Sequence, residues 1–167
     1  MPLVDIKFRK NKLPYVLQCL LAMVAVMLVL AVLKFATNKV VIASLGATSF
    51  IVFTMPHSRA STTRRLLGGY AVGLGIGTGC YWLTMVNWPD SMAILNEHSL
   101  AVFGGLAIGL AMFIMVVTNT EHPPAASIAL GLVMKEWSLE TVIVAGIEVI
   151  ILCVLKRLLK LILIDLL

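Results

Sequence analysis

A chain of 167 residues that is 60% hydrophobic and only 13% charged is not an ordinary water-soluble domain. Such domains carry about 25% charged residues, and one this small cannot bury so much apolar surface. The net charge of +5 would also suit a nucleic-acid binder, but the basic residues stand in short clusters beside apolar runs, which points to orientation on a bilayer and away from phosphate binding.

In chain order, residues 1–13 form a basic N-terminus containing Lys7, Arg9, Lys10 and Lys12. Pro14–Leu33 follows as an apolar run of about 20 residues, the length a membrane span needs. It lacks the small-residue cleavage site of a signal peptide, so it reads as a span. Val40–Met55 is shorter and rich in small and hydroxyl residues. His57–Arg65 is a polar, basic loop. Leu66–Val86 and Ser99–Thr118 are long apolar runs separated by Asn87–His98, which has no Lys or Arg. Pro123–Met134 is short and opens with two prolines, and Leu139–Leu155 is the fourth long run. The expectation is an all-α integral membrane protein with no soluble globular domain. Its six hydrophobic segments are four long spans plus two short broken or re-entrant helices. They occupy residues 14–156 as the transmembrane domain, with 157–167 as a C-terminal tail.

Charge favours six crossings over two re-entrant dips. With the N-terminus inside, the inside segments hold Lys7, Arg9, Lys10, Lys12, Arg59, Arg64, Arg65, Lys156, Arg157 and Lys160. The outside loops hold only Lys34, Lys39 and Lys135. That is the distribution of the positive-inside rule. The chain is therefore expected in the cell inner (plasma) membrane, multi-pass, with both termini cytoplasmic.

Gly46-Ala47-Thr48-Ser49 resembles Pro124-Ala125-Ala126-Ser127, and each is expected to open a short apolar helix after a long span. Long–short–long then occurs twice. Three crossings per copy turn the second copy upside down, a 3+3 inverted repeat. Short broken helices in such repeats point to a transport site at the midplane.

Asn119-Thr120-Glu121-His122 leads into Pro123-Pro124-Ala125-Ala126-Ser127. Proline suits the first turn of a helix, where a missing N–H costs nothing. A helix starting there would offer unpaired N–H groups and a positive dipole end to an anion. Alternatively, Glu121 and His122 merely cap it. Ser44 is expected to cap the other short helix, with Gly46 allowing close backbone approach and Thr48 and Ser49 donating hydroxyls. Two converging helix tips would hold a small anion without a buried lysine; ordinary Ser/Thr bonding between helices is the competing reading. His57 and the arginines of its loop either attract anions to the mouth or anchor topology by snorkelling.

Gly69, Gly73 and Gly77 recur at intervals of four, as do Gly75 and Gly79, and Ala101, Gly105 and Gly109. Such stripes make close helix packing, a dimer seam or a glycine-lined pore. Glu148 lies within the last span, as part of a proton relay or as a protonated partner of another helix. Cys19, Cys80 and Cys153 match no zinc or redox spacing and are expected to be small buried hydrophobes. No HExxH, GxSxG or phosphate loop is present, which argues against an enzyme. No cofactor or metal is expected.

The run Glu121-His122-Pro123-Pro124-Ala125 carries the motif that names the HPP family of integral membrane proteins. Ser44–Pro56, with Gly46-Ala47 and the following Pro56-His57-Ser58, resembles that family's first signature. Arg64-Arg65-Leu66-Leu67-Gly68-Gly69 is similar to its polar entry into a glycine-rich span. The resemblance covers roughly Lys12 to Lys156. Where many relatives carry a Pro-Leu-Ala-Gln-Pro-like stretch after Pro-His-Ser, this chain has Arg59–Arg64. Family members are described as probable transporters, some cyanobacterial and chloroplast ones as nitrite transporters.

The resemblance implies a small-anion transporter or channel, for nitrite or a similar monoanion, with His122 coupling proton movement if it titrates. The partners would be a small inorganic anion and the lipid bilayer, with no nucleic acid and a homodimer through the glycine-rich spans. The competitors are a membrane enzyme with a metal held by Glu121, His122 and His57, and a structural or assembly subunit of a membrane complex.

Overall fold

The computed structural model describes Phe8, residues 12–32 and residues 39–166, with the side chains of Val32, Lys135 and Glu136 outside the description. Lys7, Arg9, Lys10 and Lys34 of the charge argument lie outside the described residues. The described chain is helical: α1 Lys12–Val32, α2 Lys39–Thr54, α3 Thr63–Thr84, the short α4 Ala93–Glu97, α5 Ser99–Thr118, α6 Pro123–Gly131 and α7 Leu139–Leu158. A π turn, Leu132–Glu136, extends α6.

The helix ends obey local rules. α5 stops at Asn119, which takes the left-handed conformation (φ 56°), and the Thr120 N–H closes back on the Met115 carbonyl at 2.8 Å. This is the usual way a chain exhausts the last carbonyls of a helix. α6 restarts three residues on, with His122 as its N-cap residue and two prolines in its first turn. Ser138 caps α7 by accepting from the Thr141 N–H at 3.0 Å, and Lys156 and Arg157 complement the dipole in its last turn.

Among the described residues, three helices are long and apolar enough to cross a membrane: Lys12–Ala31, Thr63–Thr84 and Ser99–Thr118. α7 has the length, with 20 residues, but carries Glu140, Glu148, Lys156 and Arg157 and falls outside that class. α2 and α6 are shorter apolar helices.

Hydrogen bonds fix the helix directions. Gln18 near the start of α1 donates to the carbonyls of Phe53, near the end of α2, and Ile164. Arg64 at the start of α3 donates to the Thr118 carbonyl at the end of α5 at 3.0 Å. Lys156 near the end of α7 donates to the Ser61 carbonyl and to its hydroxyl. The start of α6 lies beside the start of α3, since a Cβ on Gly69 would stand 2.6 Å from the His122 Cβ. The six longer helices therefore alternate in direction. One end of the bundle collects Arg64, Arg65 and Lys156. The other collects Tyr81 stacked on Trp137 (5.2 Å) and Trp88 stacked on Phe103 (5.8 Å).

The expected glycine face exists on α3, and its partner is α6. A Cβ on Gly73 would lie 2.2 Å from the Ala125 carbonyl oxygen, and one on Gly77 would lie 2.8 Å from the Ala129 Cα. A Cβ on Gly75, Gly79, Gly105 or Gly109 would instead meet nothing within 4 Å, so among the described residues those stripes face no packing partner. Cys80 is buried, but Cys19 is exposed, because its side of α1 faces outward with Val16, Leu20 and Met23. The C-terminal residues are not a free tail. Leu163 and Leu166 are buried, and the Leu166 N–H donates to the Thr54 carbonyl at 2.9 Å.

Candidate functional site

Five side chains from four helices meet inside the bundle. His122 Nε2 lies 3.1 Å from Thr48 Oγ1. Thr48 Oγ1 lies 2.9 Å from the Tyr70 hydroxyl. That hydroxyl donates to Glu148 Oε1 at 2.9 Å. Ser44 donates to its own Val41 carbonyl at 2.8 Å, with Glu148 Oε1 3.4 Å from its hydroxyl. All five residues are buried, and Glu148 and Thr48 have no exposed surface. The packed neighbourhood leaves two polar atoms, His122 Nδ1 and Glu148 Oε2, without a hydrogen-bond partner. Buried polar groups are nearly always bonded, so two orphans at the two ends of one chain mark it out.

The site has an opening on one side. A cavity of about 340 Å³ lies between α5 and α6, lined by Met112, Met115, Glu121, His122, Pro123 and Ser127 among others. Glu121 is held by Arg65 at 3.1 Å, and Arg65 also donates to the Asn119 side chain. The arginines of the first turn of α3 therefore clamp the turn that launches α6.

The structure brings together only part of the expected site. Ser44, Thr48 and His122 join; Tyr70 and Glu148 complete the set. Tyr70 was invisible in the sequence because a tyrosine in a glycine-rich span reads as packing. Its only signal is its position one residue after Gly69, on the helix that meets the HPP motif. Gly46 and Ser49 line a different cavity, of about 470 Å³, between α1 and α2. The Ser49 hydroxyl is buried without a partner. Ala47 is exposed, Pro123 and Ser127 are exposed, and Pro124 and Ala125 are buried against α3. His57 stands apart: its ring bonds the Leu163 carbonyl at 3.1 Å and its N–H donates to Asp165 Oδ1 at 3.0 Å. Among the described residues no three His, Cys, Asp or Glu side chains come together, so the set Glu121, His122 and His57 is not assembled for a metal.

The expected pair of amide-rich helix tips is corrected on both sides. α2 begins at Lys39, not Ser44. The run Val40-Val41-Ile42-Ala43 contains no breaker and carries the helix through Gly46, so the N–H groups of Ser44–Ser49 belong to a helix interior. α6 does begin at the prolines, but Pro123 and Pro124 have no N–H. The next two amides, of Ala125 and Ala126, already bond the His122 carbonyl at 3.0 and 3.4 Å. What reaches the centre is therefore side chains.

The alignment of the two short motifs, Gly46 on Pro124, is an offset of 78 positions. At that offset Ser44 falls on His122 and Tyr70 on Glu148. One of the links, Tyr70 to Glu148, thus joins positions that this offset superimposes.

The family model described as "HPP, transmembrane region" matches residues 8–164. The chain belongs to the HPP transmembrane family. It is a membrane protein on that membership and on its apolar helices. No curated protein and no solved structure matches it.

Proposed function

We propose that this HPP-family membrane protein moves a small inorganic anion, nitrite or a similar monoanion, across the bilayer. The observation that carries the reading is the position of His122. It N-caps a helix that starts inside the fold, is buried, borders the cavity of about 340 Å³, and is bonded on its other side to Thr48. With the neighbouring amides absent or occupied, the anion is compensated by the imidazole and by the positive end of the α6 dipole, with the Arg65–Glu121 pair at the mouth.

The six longer helices act as six crossings in a 3+3 inverted repeat, with the basic end cytoplasmic as the positive-inside rule directs. Three observations support the repeat. The helices alternate in direction, so the second triplet is inverted. The pairs in contact map onto one another when the halves are exchanged, α1–α2 onto α5–α6 and α3–α6 onto α7–α2. The equivalent residues Ser49 and Ser127 line equivalent cavities, between α1 and α2 and between α5 and α6. Inverted repeats place solute sites near the midplane, where the halves meet. Plasma-membrane location and a homodimer through the outward glycines Gly75, Gly79, Gly105 and Gly109 belong to the same reading.

The test is uptake by proteoliposomes of the purified full chain, with nitrite, nitrate, chloride and formate. Flux above protein-free liposomes for at least one anion is expected, and His122→Ala should abolish it. Absence of flux for all four defeats the proposal.

A further inference from the structure

We propose that the buried chain His122–Thr48–Tyr70–Glu148 is a proton wire, and that the anion crosses together with a proton. This rests on the anion-transport reading above and names its coupling ion. The links measure 3.1, 2.9 and 2.9 Å, all within hydrogen-bond range. Each link joins a different pair of helices, so the wire runs α6, α2, α3, α7 across the bundle. Tyr70 and Glu148 hold corresponding positions of the two halves, as do Ser44 and His122.

The protons balance along it. Tyr70 gives its hydrogen bond to Glu148, so Thr48 gives its own to Tyr70 and the His122 Nε2–H points at Thr48. In that arrangement Nδ1 is the nitrogen left to take up a proton, and the Ala60 backbone beside the imidazole is placed to accept from the ring once it does. A proton taken up at Nδ1 releases the Nε2 proton to Thr48. Thr48 passes its hydrogen to Tyr70, and Tyr70 passes its hydrogen to Glu148 Oε1, which becomes a carboxylic acid. Each middle group gains one hydrogen and loses one, and no other reactant is consumed. Transfer of the Glu148 proton to a water molecule, rotation of the two hydroxyls and return of the imidazole to its first tautomer reset the wire.

Symport follows from charge. An unaccompanied anion in low dielectric is costly. The proton that makes His122 cationic is also the counter-charge for an anion in the adjoining cavity. Few other charges compete among the described residues. α2 brings only the hydroxyls of Ser44 and Thr48. α3 brings Tyr70, and Arg65, which is already paired with Glu121. The backbone of Ala60 lies beside the imidazole. α5 has no charged residue, and α1 only Lys12 at its exposed start.

The experiment measures steady-state accumulation of nitrate, which stays ionised, in proteoliposomes with the membrane potential clamped by potassium and valinomycin. One coupled proton should raise accumulation about tenfold for each pH unit that the outside is made more acidic. In Tyr70→Phe, checked for folding by melting temperature and elution profile, the ratio with and without the gradient should fall to about one, a loss of that tenfold response. Exchange of labelled for unlabelled nitrate is measured alongside. Native accumulation that ignores the gradient while nitrate still exchanges overturns the wire and leaves transport standing. A Tyr70→Phe variant that keeps the gradient response also overturns the wire. So does one that loses exchange as well, because the tyrosine then belongs to the solute site. No nitrate movement by the native protein overturns this coupling; a flux of nitrite, chloride or formate under the earlier test would still support the broader reading.

Discussion

The short helices α2 and α6 carry similar short motifs and run antiparallel, yet they contribute differently. α6 starts at its motif: His122 stands at the N-cap position with its side chain turned to Thr48, two prolines fill the first turn, and the glycine face of α3 lies against its backbone. α2 runs straight through its motif, so Ser44 and Thr48 sit mid-helix and act through hydroxyls alone. The difference comes from what precedes each motif. Asn119 and the prolines enforce a break before α6, whereas four apolar residues without a breaker lead into Ser44. A similar short motif therefore does not imply a similar backbone role.

The contrast is open to attack in order of expected effect. Gly73→Ala places a Cβ against the Ala125 carbonyl oxygen, 2.2 Å away, and backbone cannot step aside as a flexible side chain would. A loss of about 2 kcal/mol, the usual scale of overpacking, should appear as a lower melting temperature in detergent. An unchanged melting temperature would mean that α3 and α6 are not in this contact. His122→Ala strips Thr48 of a buried partner, at a cost of about 1–2 kcal/mol, and should abolish anion flux. Ser49→Ala in α2 removes a hydroxyl that bonds nothing and should leave flux within about twofold, since buried unpaired hydroxyls contribute no favourable bond.

Gly46→Ala in α2 meets nothing within 4 Å and should stabilise by up to about 1 kcal/mol through helix propensity, the opposite sign to Gly73→Ala. Loss of stability there would show that the middle of α2 is not regular helix. Arg65→Ala breaks the pair with the half-exposed Glu121 and should cost less than about 1 kcal/mol. Its larger effect is expected on the apparent affinity for the anion, read from the concentration dependence of uptake.

Much of the architecture was legible before any coordinates. The four long runs and two short ones reappear as helices within a few residues, because an apolar stretch bounded by charge, glycine or proline has few alternatives in lipid. The α6 start at the prolines and the Gly69-Gly73-Gly77 packing face were equally readable, since each rests on a local rule. The site was only half readable. His122 and Thr48 stood out as polar residues in apolar runs, and Glu148 as a carboxylate within a span. Tyr70 gave no such signal. His57 misled, because its motif-like setting serves contacts with Leu163 and Asp165 near the C-terminus.

By itself, then, the sequence determined that this chain lives in lipid, roughly which stretches are helical, and which residues are too polar to be placed there at random. Those are local matters of composition, length and backbone chemistry. Only the tertiary structure decided which of those residues meet, because residues 48, 70, 122 and 148 lie on four separate helices and their distances depend on packing at long range. It also decided that the glycines of α3 serve α6, and that the prolines and helix-bonded amides leave side chains, not backbone, at the centre.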